Sequence, residues 1–398
     1  MSPTTPVGTT TGAGRTRRVL VVHSSDEMYG ADRILLQVVA GMREIGTEAS
    51  AGPGSSPVAP VEVVVWVPDD ITHGPTPLCR ELEREGIAFA HMSLPIIRRA
   101  NLKPKGLVAM ARRSRSMRAA MKRERFDLVY CMTSACLLAA PIARSLRIRA
   151  VALHVQEMWA GKEASLLRAL ARFTTLRITI SPAVDRAAAL RSPASVVVDN
   201  CVPHPADADA AVAEGGPRPR YVVASRWNAW KGHRTLIEAW GRAGCPGLLT
   251  VLGGPPPSGA KVDVPALVAA LADPSSVEIV GEVPDVASHV AAADALVLPS
   301  DDPEPFGLVL LEAFRQGRPV IASRAGGPVD IVADGRDGWL FTPGDPDALA
   351  ELLRRLTVDD LAAAGRVARE TYLARYTPEV FRGRIGSLIA AELSRVGS

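Results

Sequence analysis

No stretch of the 398 residues approaches the roughly 20 consecutive apolar residues that cross a bilayer, so no transmembrane helix is expected. Residues 1–16 are rich in Thr, Gly and Pro and hold no apolar segment before Arg17 and Arg18. They read as a disordered leader and not as a secretory signal. The five cysteines (79, 131, 136, 201 and 245) are an odd set with no C-x-x-C spacing. Neither a disulfide framework nor a zinc set is expected; they read as small buried hydrophobes in a reducing cytoplasm. The first strand is followed by no G-x-G-x-x-G, which argues against a dinucleotide site. What is present is 47% apolar residues over a length that suits two domains of roughly 150–200 residues.

Short β-branched runs alternate with helical patterns from end to end. Candidate strands cover 19–23, 61–67, 127–131, 150–154 and 177–180, then 221–225, 248–252, 277–280, 295–299 and 319–322. Nearly all are continuous apolar runs, as strands buried on both faces require, so the fold class is α/β with parallel sheets. The rhythm breaks at 203–219, a Pro/Ala/Gly/acidic linker. The expected organisation is therefore a first Rossmann-like domain over 17–202, the linker, and a second over 220–376. A further polar insert at 49–60 reads as a disordered loop. Residues 377–398 carry a helical apolar pattern and either end the second domain or cross back to the first.

The segment from Glu304 to Glu312, EPFGLVLLE, follows an apolar strand and opens a helix. Pro305 and Gly307 shape a tight turn. The backbone N–H groups of Phe306, Gly307 and Leu308 then stand at a helix N-terminus, which binds anions. Carboxylates on either side, Glu304 and Glu312, suit the hydroxyls of a sugar and a ribose, since they would repel phosphate. The plainer alternative is a helix start with acids at its positive end. Arg226 and Lys231, in SRWNAWKG, sit where the second domain's first strand ends, and can converge on a diphosphate as fork and point charge. Gly281, Val283 and Pro284 occupy another strand end and could present backbone to a nucleobase. Gly326 and Gly327 form a glycine turn that permits close backbone approach to sugar or phosphate.

Taken together, SRWNAWKG, VGEVPD, ALVLPS, EPFGLVLLEA, GRPVIAS, AGGPVDIV and DGWLFTPGDPDAL resemble the second domain of the retaining family-4 glycosyltransferases, densely over 221–353. The resemblance implies two Rossmann-like domains facing each other across a cleft (GT-B), a nucleotide-diphosphate sugar donor, retention at the anomeric carbon, and no required metal or cofactor. It places Arg226 and Lys231 on the diphosphate, Glu304 at the donor sugar and Glu312 at the ribose. The family's glycine loop corresponds to the segment around Gly30, and its strand-end histidine near the donor sugar to His154. Trp227 and Trp230 depart from the smaller or polar residues expected in their loop. The two D-x-D spacings, at Asp207 and Asp345, fall in the linker and at a late helix start and read as structural. Asp26 and Glu157 are acceptor-side candidates; for Asp26 a helix-start acid is an equal reading. Rival functions are an epimerase or phosphorylase on the same architecture, or a non-catalytic sugar-nucleotide or carbohydrate binder.

Residues 98–125 hold eleven Lys/Arg against one acid, Glu124. Leu107, Met110, Ser114, Met117 and Met121 recur at helical spacing, so this helix is amphipathic. One reading is an interfacial helix on an anionic membrane, at the inner face of the plasma membrane, reaching a lipid-linked acceptor. The other is a surface helix that packs its stripe on its own sheet. Nucleic acid is not expected, because no aromatic interleaving accompanies the charge. The acceptor class stays open among a glycan, a lipid-linked saccharide and a small molecule.

Overall fold

The structure is a computed structural model that describes residues 15–28, 30–46, 59–70, 76–98, 104–203, 216–256 and 259–397. Residues 1–14 of the expected leader, 49–58 of the insert and 204–215 of the linker lie outside the described residues. The chain divides into two units.

The first unit holds a seven-stranded sheet, parallel from β1 to β5. Its strands are β1 (Arg17–Val22), β2 (Val61–Pro68), β3 (Ala88–Met92), β4 (Leu128–Cys131), β5 (Ala150–Val155), β6 (Leu176–Thr179) and β7 (Val196–Val197). They run in the order β3-β2-β1-β4-β5-β6-β7. Helices α1 (Gly30–Arg43), α2 (Pro77–Arg84), α3 (Pro104–Glu124), α4 (Ala139–Ser145) and α5 (Gly161–Ala171) connect them. The central strands β1, β4 and β5 are buried along almost their whole length, which explains why they read as unbroken apolar runs. Helix α6 (Pro182–Ala188) follows β6, and residues 179–187 group with the second unit, although sequence placed them in the first.

The second unit repeats the plan with six strands: β8 (Arg220–Ala224), β9 (Leu248–Leu252), β10 (Val277–Gly281), β11 (Ala295–Leu298), β12 (Val320–Ser323) and β13 (Gly338–Phe341). Their order is β10-β9-β8-β11-β12-β13, parallel throughout. Helices α7 (His233–Arg242), α8 (Val264–Ala269), α9 (Val286–Ala292), α10 (Leu308–Arg315), α11 (Pro328–Ile331), α12 (Pro346–Arg355) and α13 (Val358–Arg375) cover it. Each unit thus has the doubly wound order 3-2-1-4-5-6, whose ligands bind beyond the strands' carboxyl ends where the order reverses. Those switch points lie between β1 and β4 and between β8 and β11.

The last helix, α14 (Pro378–Gly397), crosses into the first unit from Arg382 onward. Ile385, Ile389 and Leu393 are buried there. Its backbone runs so close to α1 that a Cβ added at Gly41 would stand 2.7 Å from the Arg382 carbonyl oxygen. Arg382 Nε also donates to Gln37 Oε1 at 2.9 Å.

Candidate active site

In the second unit the loop after β8 and the loop after β11 flank the switch point and touch each other, with the Asp301 N–H donating to the Trp230 carbonyl at 2.8 Å. Lys231 Nζ donates to Glu304 Oε2 at 2.8 Å, with both side chains largely buried. Ser300 Oγ donates to the same oxygen at 3.1 Å. The Lys231 ammonium also stands 4.1 Å from the centre of the Trp230 ring, a cation–π seat that fixes its direction. Two residues that sequence assigned separately to diphosphate and sugar are therefore hydrogen-bonded neighbours. The tryptophans divide the work of the loop: Trp227 is buried in the unit's core, and Trp230 supports the lysine. Arg226 is exposed at the start of the same loop.

The carbonyl side of Glu304 is held just as closely. Gly327 N–H donates to the Glu304 carbonyl at 2.7 Å, and Glu304 and Gly326 form a parallel bridge. Gly326 has φ +70°, and a Cβ there would lie 2.1 Å from the Glu304 carbonyl oxygen; one at Gly327 would lie 2.6 Å from Phe306 Cα. The close approach that an added Cβ at these glycines would obstruct is to the protein's own 304–306 backbone. Helix α10 begins behind Gly307, whose φ of 92° turns the chain into the helix. The first amides of that helix have no intrahelical acceptors. Phe306 is buried with its ring edge-on to Tyr376, so only its backbone is available to a ligand. Glu312 is half-buried on the second turn of α10. Val283 is half-buried and Pro284 exposed just beyond Gly281, which ends β10.

His233 is a component that the sequence reading missed. It opens α7 directly after the Lys231 loop, is fully buried, and its Nε2 lies 3.0 Å from Ser225 Oγ. Burial pushes its pKa down to about 4. The signal was a polar residue at the start of a helix with an otherwise apolar face.

In the first unit, His154 is the penultimate residue of β5 and has no exposed surface. Its Nδ1 lies 3.0 Å from the Tyr130 hydroxyl, and its Nε2 has no partner among the described residues. Burial pushes its pKa down to about 3, so the ring is neutral at physiological pH. Glu157 accepts from Ser134 Oγ at 2.6 Å, and Trp159 Nε1 donates to that hydroxyl at 2.7 Å. Burial raises the Glu157 carboxyl, and it lines a cavity of about 270 Å³ with Ile97, Met158, Trp159, Leu166 and Leu167. Gly30 is the first residue of α1. Asp26 is fully buried and faces His91. Asp32 is likewise buried, 2.7 Å from His23 Nε2.

The two buried neutral histidines give a pH prediction. Unfolding frees rings that take up a proton near pH 6.5, whereas the folded rings do so only near pH 3 to 4. The unfolded state therefore binds more protons in that window. Their contribution is fully present above about pH 6.5 and is lost as pH falls toward 4. Urea midpoints for wild type and His233→Gln, measured between pH 7 and 4.5, are expected to converge as the pH falls. Parallel curves would count against this cause.

Helix α3 divides its apolar stripe. Met117 and Met121 are buried against their own unit, while Leu107 and Val108 are 53% and 71% exposed. Arg98 and Arg113 both bind Asp70, at 3.1 and 2.7 Å. Among the described residues no helix is long and apolar enough to cross a membrane. All five cysteines are free and buried.

Two Rossmann-like parallel-sheet units, one carrying a Lys–Glu pair and a helix N-terminus at its switch point, place the chain in the GT-B class of folds. The glycosyltransferase from Rickettsia africae has this fold, with a TM-score of 0.74 at 17% identity over 96% of this chain and all of that one. Anabaena HepE, solved in complex with UDP-glucose, gives 0.71 at 20% identity over 94% of this chain and 99% of its own. Residues 218–359 match the family model of Glycosyl transferases group 1. Among curated proteins, the lipopolysaccharide core biosynthesis glycosyltransferase LpsE of Rhizobium meliloti is 29% identical over 44% of this chain and 50% of its own length. A D-inositol 3-phosphate glycosyltransferase of Streptomyces avermitilis is 45% identical over 21% of this chain and 18% of its own. The chain spans half or less of the length of these curated relatives.

Proposed function

We propose that this protein is a glycosyltransferase that moves a sugar from a nucleotide-diphosphate donor to a hydroxyl acceptor with retention of anomeric configuration. The observation that carries the reading is the Lys231–Glu304 pair beside the start of α10, inside the segment that matches the glycosyltransferase family. In this reading Lys231, Arg226 and the 306–308 amides take up the negative charge that develops on the departing diphosphate. Glu304 holds sugar hydroxyls and Glu312 the ribose, while Gly281, Val283 and Pro284 border the base. His154, neutral and with an unused ring nitrogen, hydrogen-bonds a sugar hydroxyl. The glycosidic C–O bond to the diphosphate breaks, the acceptor oxygen attacks from the same face, and its proton passes to the departing phosphate oxygen. No metal is required in this scheme, because fixed cations and amides stabilise the leaving group. The acceptor is a glycan, a lipid-linked saccharide or a small molecule.

A thermal-shift and hydrolysis screen against UDP-, GDP-, ADP- and TDP-sugars tests this, with UDP-glucose first because HepE was solved with it. One nucleotide sugar is expected to raise Tm and to be slowly hydrolysed. Failure of every one to bind at millimolar concentration would sink the reading.

The exposed Leu107 and Val108 on the basic helix α3 support a second part of the proposal, contact with an anionic membrane surface. Co-sedimentation with vesicles containing phosphatidylglycerol is expected to fall several-fold in the double variant Leu107→Ser, Val108→Ser. Equal sedimentation of variant and wild type would assign α3 to the solvent-facing alternative.

A further inference from the structure

Three side chains of the first unit that the proposed transfer does not use meet at one point. Asp26 stands on the loop after β1, Cys79 in the first turn of α2, and His91 near the end of β3. His91 Nε2 lies 3.4 Å from Asp26 Oδ2 and 3.7 Å from Cys79 Sγ, and all three donor atoms fall within 4.8 Å of one another. Asp26 and Cys79 are buried, whereas the His91 side chain is 41% exposed. Neither Asp26 oxygen has a hydrogen-bond partner among the described residues. A carboxylate fully out of water and without hydrogen bonds is costly unless a cation compensates it.

The geometry separates two explanations. In a catalytic relay the carboxylate would sit on one ring nitrogen of His91 and the thiol on the other. Here both approach Nε2, so the three groups converge on a common centre. Ligand atoms bound to tetrahedral zinc at about 2.0–2.3 Å stand roughly 3.3–3.8 Å apart, which matches the separations of His91 from Asp26 and from Cys79. Thiolate, imidazole and carboxylate are the donor types zinc takes. One thiolate and one carboxylate also neutralise a divalent ion, so the filled site would bury no net charge.

We propose that Asp26, Cys79 and His91 bind one divalent zinc-class cation, with a fourth position open on the solvent side of His91. The ion would tie the loop that leads into Gly30 and α1 to α2 and to the edge strand β3. The site is independent of the donor residues in the second unit, so its test does not depend on the glycosyltransferase reading.

Full-length protein dialysed against a chelator and titrated with Co²⁺ provides the test. One equivalent is expected to bind with a thiolate-to-cobalt charge-transfer band, and Zn²⁺ is expected to displace it. Zn²⁺ at a hundredfold excess over its Kd should raise the Tm of this unit by roughly 5–10 °C. Cys79→Ser is expected to abolish the band. His91→Gln, at a half-exposed position that the fold tolerates, should weaken Co²⁺ binding at least tenfold, with far-UV circular dichroism confirming the fold of both variants. Absence of a thiolate band in the wild type would overturn the proposal, as would wild-type Co²⁺ binding by folded His91→Gln.

Discussion

Lys231→Ala is expected to lower kcat/KM for the donor by roughly 10³-fold, about 4 kcal/mol of transition-state stabilisation. Two losses combine. The first is a cation aimed at developing phosphate charge, of the order of 10²–10³ for a single preorganised group. The second arises from Glu304. Its carboxylate is 12% exposed and accepts from Lys231 and Ser300 on one oxygen, so removing the lysine leaves an under-compensated negative charge beside the proposed diphosphate position. The variant should therefore bind UDP and other nucleoside diphosphates more weakly as well as turn over more slowly. The double variant Lys231→Ala, Glu304→Gln should recover part of the lost nucleotide affinity, because the repulsion is removed together with the attraction. Calorimetry on these two variants and on Glu304→Gln alone reads this coupling directly. Unchanged nucleotide affinity in Lys231→Ala would move the diphosphate away from this loop.

Gly326→Ala is expected to destabilise the second unit by about 2–5 kcal/mol, a fall in Tm of roughly 5–15 °C. The new methyl group would stand 2.1 Å from the Glu304 carbonyl oxygen, and the backbone must also hold φ +70°, which alanine resists. Relief requires the 304–306 segment to move, and with it the Gly327 N–H to Glu304 carbonyl bond of 2.7 Å. Activity should fall further than stability alone explains, because the displaced segment carries Glu304 and leads into α10. Gly335→Ala is the control: its φ is +76° but nothing lies within 4 Å of the added carbon. It should cost about 1 kcal/mol and leave turnover intact. Equal effects of the two substitutions would mean that strain, and not contact with Glu304, dominates at Gly326.

All ten strands expected from unbroken apolar runs are present, within about two residues at each end. The three that sequence did not show, β3, β7 and β13, are all at sheet edges. β3 is short and largely exposed or half-buried with a histidine in it, β7 has two residues, and β13 begins with a glycine. An edge strand is covered on fewer sides than a central one, so its composition carries less of the signal.

The site divides along the same line. The strand–turn–helix placement of Glu304, Gly307 and Glu312 was legible because all three elements follow one another within a short segment. That Lys231 would bond Glu304, 73 residues away, was not legible. Nor was the approach of Asp26 to Cys79 and His91, or the packing of Gly326 onto Glu304.

By itself the sequence determined the α/β class, the two sheets and the likeness of residues 218–359 to a glycosyltransferase family model, because period, composition and motif spacing are local properties. Only the tertiary structure decided which charges meet, which histidines are neutral and which glycines are needed. Those outcomes depend on distances and desolvation between residues remote in the chain, and neither is encoded in the spacing of any one segment.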